Sequence, residues 1–299
     1  MLTTVRKQKF YLLALVPFLA YLIVFKYYPM YGAIIAFKKF SFSKGILGSQ
    51  WVGLHYFQLF FSSPDVWVVL RNTLAMSALS IVFVAFFSIL LAILITEVKN
   101  VLYRRVVQTL SYLPHFISWI VVVGMVQSLL YSSGPVNSVL LNLGFISKPI
   151  NFLGSANMFW GLITTLNIWK SVGWNSIIYI AAIISIDPTM YESATLDGAG
   201  KFKQIMYITL PSIMPTIIIL FIFSLGYILN AGFEQQLFLQ NPLNYTHAEV
   251  LDTYVFKYGL QKNMYSYAAA VGILKSMVGF GLVLIVNFIS RKFFKMGIF

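Results

Sequence analysis

Long stretches without a charged residue dominate this chain of 299 residues. Between Arg71 and Glu97 there are 25 uncharged residues, and between Lys203 and Glu234 there are 30. A helix needs about 20 consecutive apolar residues to cross the hydrocarbon core of a bilayer. Because each stretch is long enough for one crossing, the sequence predicts an all-α membrane protein.

The composition agrees with this prediction. Hydrophobic residues make up 59% of the chain and charged residues 10%, whereas soluble domains have about 45–50% and about 25%. These fractions exclude a soluble globular domain and a disordered chain. The net charge of +13 is carried by basic residues that flank apolar runs, so we expect them to face lipid headgroups rather than nucleic acid.

Six transmembrane helices are predicted, near residues 10–31, 70–96, 107–131, 158–185, 211–231 and 266–290. The first run is long and lacks a small-residue cleavage site, so we interpret it as a retained span and not as a signal peptide. With both termini in the cytoplasm, eleven basic residues fall on short cytoplasmic segments and eight on longer external loops, in agreement with the positive-inside rule. The eleven are Arg6, Lys7, Lys9, Lys99, Arg104, Arg105, Lys201, Lys203, Arg291, Lys292 and Lys295. External segments 32–69, 132–157 and 232–265 are predicted to be ordered caps with short helices.

Residues for enzyme chemistry are not found in the sequence. The three histidines, His55, His115 and His247, stand far apart and predict no metal site. The segment GAGKF at 198–202 resembles part of a phosphate-binding loop, but Thr195 and Phe202 stand where that loop needs Gly and Ser or Thr. We therefore expect no catalytic residue, and any nucleotide must be bound by another subunit.

The most specific signal lies in the predicted cytoplasmic segment between the fourth and fifth spans. Asp187-Pro188 is typical of a helix start, and two glycines, Gly198 and Gly200, are expected to end that helix. Residues 191–211 read YESATLDGAGKFKQIMYITLP. Within them, Glu192-Ser193-Ala194 is followed by three residues, then Gly198, then nine residues, then Ile208-Thr209-Leu210-Pro211.

This spacing resembles the EAA loop of bacterial ABC importer permeases. One position departs from the family pattern, because Ser193 replaces the first alanine, which exchanges one small residue for another. The resemblance implies that segment 186–210 is a cytoplasmic coupling loop that docks on the ATPase. The residues it assigns to coupling are Glu192, Ser193, Ala194, Asp197, Gly198, Leu210 and Pro211.

The resemblance extends over nearly the whole chain, through segments 26–40, 51–61, 111–122, 167–183 and 253–275. These segments are similar to the LplB-type branch of carbohydrate-uptake permeases. The resemblance implies a type I importer permease fold, with an N-terminal transmembrane helix and external segment at 1–66 and a five-helix core at 67–299. It also implies a multi-pass protein of the bacterial cell membrane that imports oligosaccharides or polysaccharide fragments and forms half of the translocation pathway.

The same resemblance implies partners. They are a second homologous permease subunit, two cytoplasmic ATPase subunits that bind ATP and Mg²⁺, and an extracellular substrate-binding lipoprotein. No cofactor is expected in this subunit.

Two lysines fall well inside predicted spans, Lys170 in the fourth and Lys275 in the sixth. A lysine near the bilayer centre costs about 2.5–3.5 kcal/mol on insertion scales, so such residues usually face a cavity or a partner. A substrate path is one interpretation, in which their charge would suit acidic sugars such as uronates. The other is structural, in which the lysine reaches the interface or bonds main-chain carbonyls. The candidate path residues are Asn167, Lys170, Trp174, Asn175, Asn230, Glu234 and Lys275.

Two other classes of function fit the sequence less well than an importer permease. A secondary transporter needs an ion-coupling site at membrane depth, and no carboxylate lies inside the predicted spans apart from Glu97 at an edge. A membrane-embedded enzyme needs a polar catalytic cluster there, and none is visible. Within ABC importers, a permease for a non-sugar solute is the alternative.

In the last span, Ala268, Gly272 and Ser276 recur every four residues and predict a close helix contact.

Overall fold

The protein is mostly helical. The structure, a computed structural model, describes the backbone of residues 9–294 and the side chains of Lys9 and of 13–292. Arg6, Lys7 and Lys295, which enter the predicted orientation, lie outside these residues. The α-helices are α1 Lys9–Leu22, α2 Tyr28–Met30, α3 Gly45–Gly48, α4 His55–Ser62, α5 Val66–Glu97, α6 Val101–Tyr112, α7 Trp119–Leu130, α8 Pro135–Asn142, α9 Ala156–Ile184, α10 Pro188–Leu196, α11 Lys201–Gln204, α12 Leu210–Gly226, α13 Glu234–Leu239, α14 Tyr245–Ala248, α15 Leu251–Phe256 and α16 Tyr265–Phe294.

Other helical turns and one two-stranded sheet connect these helices. The 3₁₀ helices are Tyr31–Phe37 and Leu113–Phe116, and the π-helices are Ile23–Tyr27, Ile205–Thr209 and Lys257–Gln261. Strands β1 Lys38–Lys39 and β2 Gln50–Trp51 are antiparallel, with Lys38 opposite Trp51. The short helices expected in the three external segments are present.

Within the described residues, five helical stretches are long and apolar enough to cross a membrane. They are Leu13–Phe37, Val66–Glu97, Trp119–Asn142, Lys201–Gly226 and Tyr265–Lys292. The predicted fourth span corresponds to α9, which has 29 residues and is not among the five. Polar side chains such as Thr164, Asn167, Lys170 and Asn175 lower the hydropathy of this helix.

The chain divides into two compact units. The first runs up to Ser63 and includes Val255–Ser276, and the second comprises Pro64–Tyr254 and the chain from Met277 on. In the first unit, the Lys38 ammonium donates to the carbonyls of Ile46 and Leu47 at 2.9 and 3.1 Å. The aromatic rings of Phe37 and Trp51 stack there with centroids 5.6 Å apart. These contacts hold the segment between the two strands against the sheet.

In the second unit, α5 packs along α9, and buried side chains form two apolar clusters. One cluster contains Met76, Val122, Val126, Phe159 and Ile163. The other lies further along both helices and contains Ala92, Ile95, Tyr179, Ile183 and Ile213. The rest of α5 exposes large apolar side chains at Val82, Phe86, Leu90 and Leu94. A helix that is hydrophobic all round is typical of a membrane span.

The predicted continuous helix over 107–131 is wrong. α6 ends at Tyr112, a 3₁₀ turn covers Leu113–Phe116, and α7 begins only at Trp119. Pro114 has no N–H to continue the helical hydrogen bonds, and the Ser118 hydroxyl accepts from the N–H of Val121 at 3.4 Å as a new helix cap. The apolar run therefore contains a break at residues 113–118.

In the second unit, α16 crosses α12 closely at residues outside the predicted stripe. A Cβ added at Gly279 would lie 2.6 Å from the carbonyl oxygen of Gly226, and one added at Gly226 would lie 2.7 Å from Val283. At the predicted stripe, a Cβ added at Gly259 would lie 2.7 Å from the Cβ of Ala268, whereas one added at Gly272 would meet nothing within 4 Å. The crossing of α12 and α16 depends on Gly226 and Gly279.

We predict that Gly279→Ala lowers the thermal stability of the purified protein, because its methyl group would overlap a main-chain oxygen. Overpacking of this kind costs about 1–3 kcal/mol. Gly281→Ala is the matched control on the same helix, since a Cβ there meets nothing within 4 Å. Thermal unfolding in detergent measures both variants, and equal midpoints for them would contradict the account of this crossing.

Candidate functional site

The predicted coupling loop begins with a capped helix, α10. Its first residue is Pro188, and the Asp187 carboxylate accepts a hydrogen bond from the N–H of Thr189 at 2.9 Å. Donation from the Thr189 N–H, supported by its hydroxyl, holds the pKa of Asp187 below its usual value. A carboxylate at a helix N-terminus also meets the positive end of the helix dipole. The sequence signal for a helix start at 187–188 is confirmed.

The same helix ends in a Schellman motif centred on Gly198. The N–H of Ala199 donates to the carbonyl of Ala194 at 2.8 Å, and the N–H of Gly198 to that of Thr195 at 3.1 Å. Gly198 has φ +77°, a left-handed conformation that glycine adopts without the steric cost of a Cβ. The glycine of the motif is therefore required by the backbone at this turn.

Side chains tie the second half of the loop to the first. Gln204 is buried, and its amide donates to the Thr195 hydroxyl at 2.9 Å and to the Ala199 carbonyl at 3.1 Å. The hydroxyls of Tyr191 and Thr209 lie 2.9 Å apart. These bonds make the loop one folded unit and not two independent helices.

An ion pair joins the loop to the end of α5. The Lys201 ammonium lies 2.8 Å from the Glu97 carboxylate. Because both side chains are substantially exposed, the pair orients the loop more than it stabilises it.

The outer surface of the loop carries the coupling residues that the motif assigns. Glu192, Ser193, Asp197 and Gly198 are exposed, Ala194 is half-buried, and Leu210 and Pro211 lie at the start of α12. Two large apolar side chains are also exposed, Leu196 at 90% and Phe202 at 75%. Exposed apolar side chains beside a carboxylate are suited to contact with another protein.

A cavity of about 420 Å³ lies among α5, α9 and α12. Its polar lining consists of hydroxyls and amides, and the Asn167 amide donates to the Ser80 hydroxyl at 2.9 Å. No residue of its lining carries a formal charge. The lining is Ser80, Ile81, Val84, Ala85, Asn167, Ser171, Asn175, Ile178, Tyr179, Ile217, Leu220, Phe221, Phe223, Ser224 and Tyr227. Such a site can bond hydroxyl groups and cover apolar ring faces.

Two of the predicted path residues line this cavity, Asn167 and Asn175, and two others on the same helix do not. Lys170 is buried, and its ammonium donates to the carbonyls of Pro114, His115 and Ile117. The ring of Trp174 stacks on that of His115, with centroids 4.5 Å apart and planes 3° from parallel. Of the two interpretations left open for Lys170, its contacts match the bonding of main-chain carbonyls.

The remaining predicted path residues are more dispersed. Asn230 is exposed after the end of α12, and its N–H donates to the Tyr227 carbonyl at 2.8 Å. Glu234 is the exposed first residue of α13 and interacts electrostatically with Lys170. Lys275 is half-buried in the first unit.

Sequence reasoning missed several cavity residues. Ser171 could have been found, because it lies four residues after Asn167 and four before Asn175 and so shares their face of the helix. Ser80, Ser224 and Tyr227 come from other helices, and no local pattern points to them. Over the described chain, no three His, Asp or Glu side chains are grouped where they could hold a metal ion.

Comparison with known families and proteins gives one consistent result. Residues 85–295 match the family described as "Binding-protein-dependent transport system inner membrane component". The chain is 40% identical over 299 residues to Protein LplB of Bacillus subtilis, covering 100% of this chain and 93% of that protein. It is 42% identical over 294 residues to the polygalacturonan/rhamnogalacturonan transport system permease protein YteP of the same organism, covering 98% and 91%.

Two solved structures are also similar over nearly their whole length. One is a bacterial alginate ABC transporter in complex with an alginate pentasaccharide-bound periplasmic protein, with a TM-score of 0.90, 38% identity and coverage of 100% of this chain and 99% of that one. The other is a bacterial ABC transporter involved in import of the acidic polysaccharide alginate, with a TM-score of 0.89, 39% identity and coverage of 97% and 98%. The likeness therefore extends from sequence to fold.

We predict that Gly198→Val opens the turn after α10, because a β-branched residue is strained in the left-handed region by about 1–2 kcal/mol. The Ala199 amide should then exchange with solvent faster. Gly198→Asn should keep most of its protection, since Asn tolerates this conformation.

Gly200→Ala is the matched control, because Gly200 has φ −69° and open space around a Cβ. Hydrogen exchange followed by mass spectrometry over 194–200 compares the three variants. Unchanged protection in Gly198→Val would contradict the role given to this glycine.

Proposed function

Since the chain belongs to the family of binding-protein-dependent transport system inner membrane components, we propose that it is a permease subunit of an ATP-driven importer of oligosaccharides or polysaccharide fragments. In this proposal it forms half of the translocation pathway and carries no catalytic site or cofactor of its own. ATP and Mg²⁺ are bound by two cytoplasmic ATPase subunits. A second homologous permease completes the pathway, and an extracellular substrate-binding lipoprotein delivers the saccharide.

The observation that carries the proposed substrate class is the uncharged cavity among α5, α9 and α12, whose mainly apolar lining includes serine hydroxyls and asparagine amides. Its hydroxyl and amide groups match sugar hydroxyls, and the rings of Phe221 and Tyr227 match the apolar faces of a pyranose. The relatives named for polygalacturonan and rhamnogalacturonan transport and for alginate import support saccharides as the cargo. Nothing in these relatives supports a non-sugar solute or a secondary transporter.

The loop at 186–210 is proposed to dock on an ATPase subunit. The exposed Glu192 carboxylate would meet a basic group of that subunit, and the exposed side chains of Leu196 and Phe202 would be covered by it. The internal bonds of Gln204 and Tyr191 support this assignment, because a loop that transmits force must be rigid.

The proposed topology has six transmembrane helices. Helix α9 is one of them, although its low hydropathy leaves it out of the five stretches that are long and apolar enough to span. Its polar face would line the pathway and so need not meet lipid. Both termini would lie in the cytoplasm of a bacterial cell, with residues 1–66 as an N-terminal helix plus external segment and 67–299 as the permease core.

We predict that Glu192→Ala lowers both ATPase-driven uptake and the amount of ATPase that co-purifies with the membrane subunits. The physical reason is the loss of a charge-assisted contact, of the kind that contributes about 1.5–3 kcal/mol. Glu192→Ala should leave the thermal stability of the permease unchanged. Asp65→Ala removes an acidic residue outside the loop and is the control. Wild-type coupling in Glu192→Ala would refute the assignment of the coupling loop.

We predict that Asn175→Leu raises the concentration of loaded binding protein needed for half-maximal uptake by roughly tenfold, which corresponds to about 1.4 kcal/mol. The change removes an amide from the cavity and fills part of its volume. Uptake should be measured in proteoliposomes with neutral and uronic oligosaccharides. Thr165→Ala, on the same helix but outside the cavity lining, should behave as wild type. Equal uptake curves for both variants would exclude the cavity from the path.

A further inference from the structure

Lys170 is a buried lysine of the second unit. Its ammonium has three protons to donate, and the three carbonyls that accept them belong to Pro114, His115 and Ile117. All three acceptors lie in the break between α6 and α7, and the Pro114 carbonyl also accepts from the N–H of Ile117 at 3.3 Å. The aromatic ring of Trp119 lies under the same ammonium, with its centroid 5.5 Å from the nitrogen.

Two further contacts hold the end of α6 and the break against the same side of α9. A Cβ at Gly173 would overlap the carbonyl of Ser111, so the two backbones touch there and only glycine fits. One residue later, Trp174 stacks on His115. Residues 170, 173 and 174 are spaced as one helix face, and each of them meets the segment 111–117. We call this set of contacts the α9 joint.

The α9 joint lies between two features of the proposed importer. Asn167, Ser171 and Asn175 line the cavity from the neighbouring face of the same helix. Helix α9 ends at Ile184, about 21 Å along the helix from Lys170, and the coupling helix α10 begins at Pro188. Helix α9 therefore connects the loop to the cavity wall.

We propose that Lys170 is a positioning residue that fixes the break at 113–118 to α9, so that α6, α7, the cavity wall and the coupling loop move as one body. This inference rests on the proposed function, because it concerns how loop movement becomes substrate movement. It assigns the lysine no contact with substrate. Its positive charge binds main-chain carbonyls between the end of α6 and the start of α7.

The first test measures saccharide imported per ATP hydrolysed in proteoliposomes that contain the complete importer. Lys170→Met removes the ammonium that donates to all three carbonyls, and the ratio should fall at least tenfold while the ATPase subunits remain bound. Lys170→Arg keeps the charge and several donors and should recover the ratio to within about threefold of wild type. Thr165→Ala on the same helix is the control, since its hydroxyl bonds only to the Gly161 carbonyl of its own helix.

Two results of this test would overturn the proposal. One is an unchanged ratio in Lys170→Met. The other is an increase in the saccharide concentration needed for half-maximal uptake, with an unchanged ratio of saccharide imported to ATP hydrolysed. That result would make Lys170 a substrate-binding residue. If wild-type importer moves no saccharide at all, the proposed function fails, and the α9 joint is then judged by the second test alone.

The second test uses the fact that the chain has no cysteine. His115→Cys with Trp174→Cys places two thiols at the stacked rings, where a short thiol-reactive bridge can link them. A rigid joint predicts efficient linkage with and without ATP, and ATP hydrolysis by the linked importer equal to that of the same protein after the link is reduced. Failure to link, or hydrolysis that stops on linking and returns on reduction, would show a moving hinge and overturn the proposal. This test also applies if Lys170→Met does not fold.

Discussion

A main chain inside hydrocarbon must satisfy its own hydrogen bonds, because no water is there to do so. Most of this protein meets that requirement with long helices. At the break at 113–118, directly before the spanning stretch Trp119–Asn142, the ammonium of Lys170 on a neighbouring helix donates to the carbonyls of Pro114, His115 and Ile117. The cost of burying a positive charge is reduced by the carbonyl dipoles at the end of α6 and by the carboxylate of Glu234.

This arrangement gives α9 three roles on one rigid element. One face packs on α5 and forms the apolar clusters, a second holds the break, and a third presents amides and a hydroxyl to the cavity. Its C-terminal end leads into the loop at 186–210. Helix α10 of that loop is capped at both ends, and side-chain hydrogen bonds join the two halves of the loop. The same polar side chains that give the helix these roles lower its hydropathy, which is why it is absent from the five stretches long and apolar enough to span.

Several parts of this account could be predicted from the sequence because they depend on local spacing. The uncharged stretch at 72–96 predicts α5, and the glycine at 198 predicts the end of α10. The prediction of a continuous helix at 107–131 was wrong, because a hydropathy pattern does not show that Pro114 lacks an N–H. For Lys170 the sequence left two interpretations open, because the direction of a long side chain is decided by what packs beside it. The hydroxyls of Ser80 and Ser224 come from separate helices, and only the tertiary structure brings them to one cavity.

We propose that this chain carries saccharide across a membrane with energy from ATP hydrolysed by a partner. The most direct measurement is uptake of labelled oligosaccharide into proteoliposomes that contain this chain, its second permease and the ATPases, with loaded binding protein outside and ATP inside. We expect accumulation that requires ATP and stops when this chain is omitted. Accumulation driven by an ion gradient without ATP, or ATP-dependent uptake that persists without this chain, would contradict it.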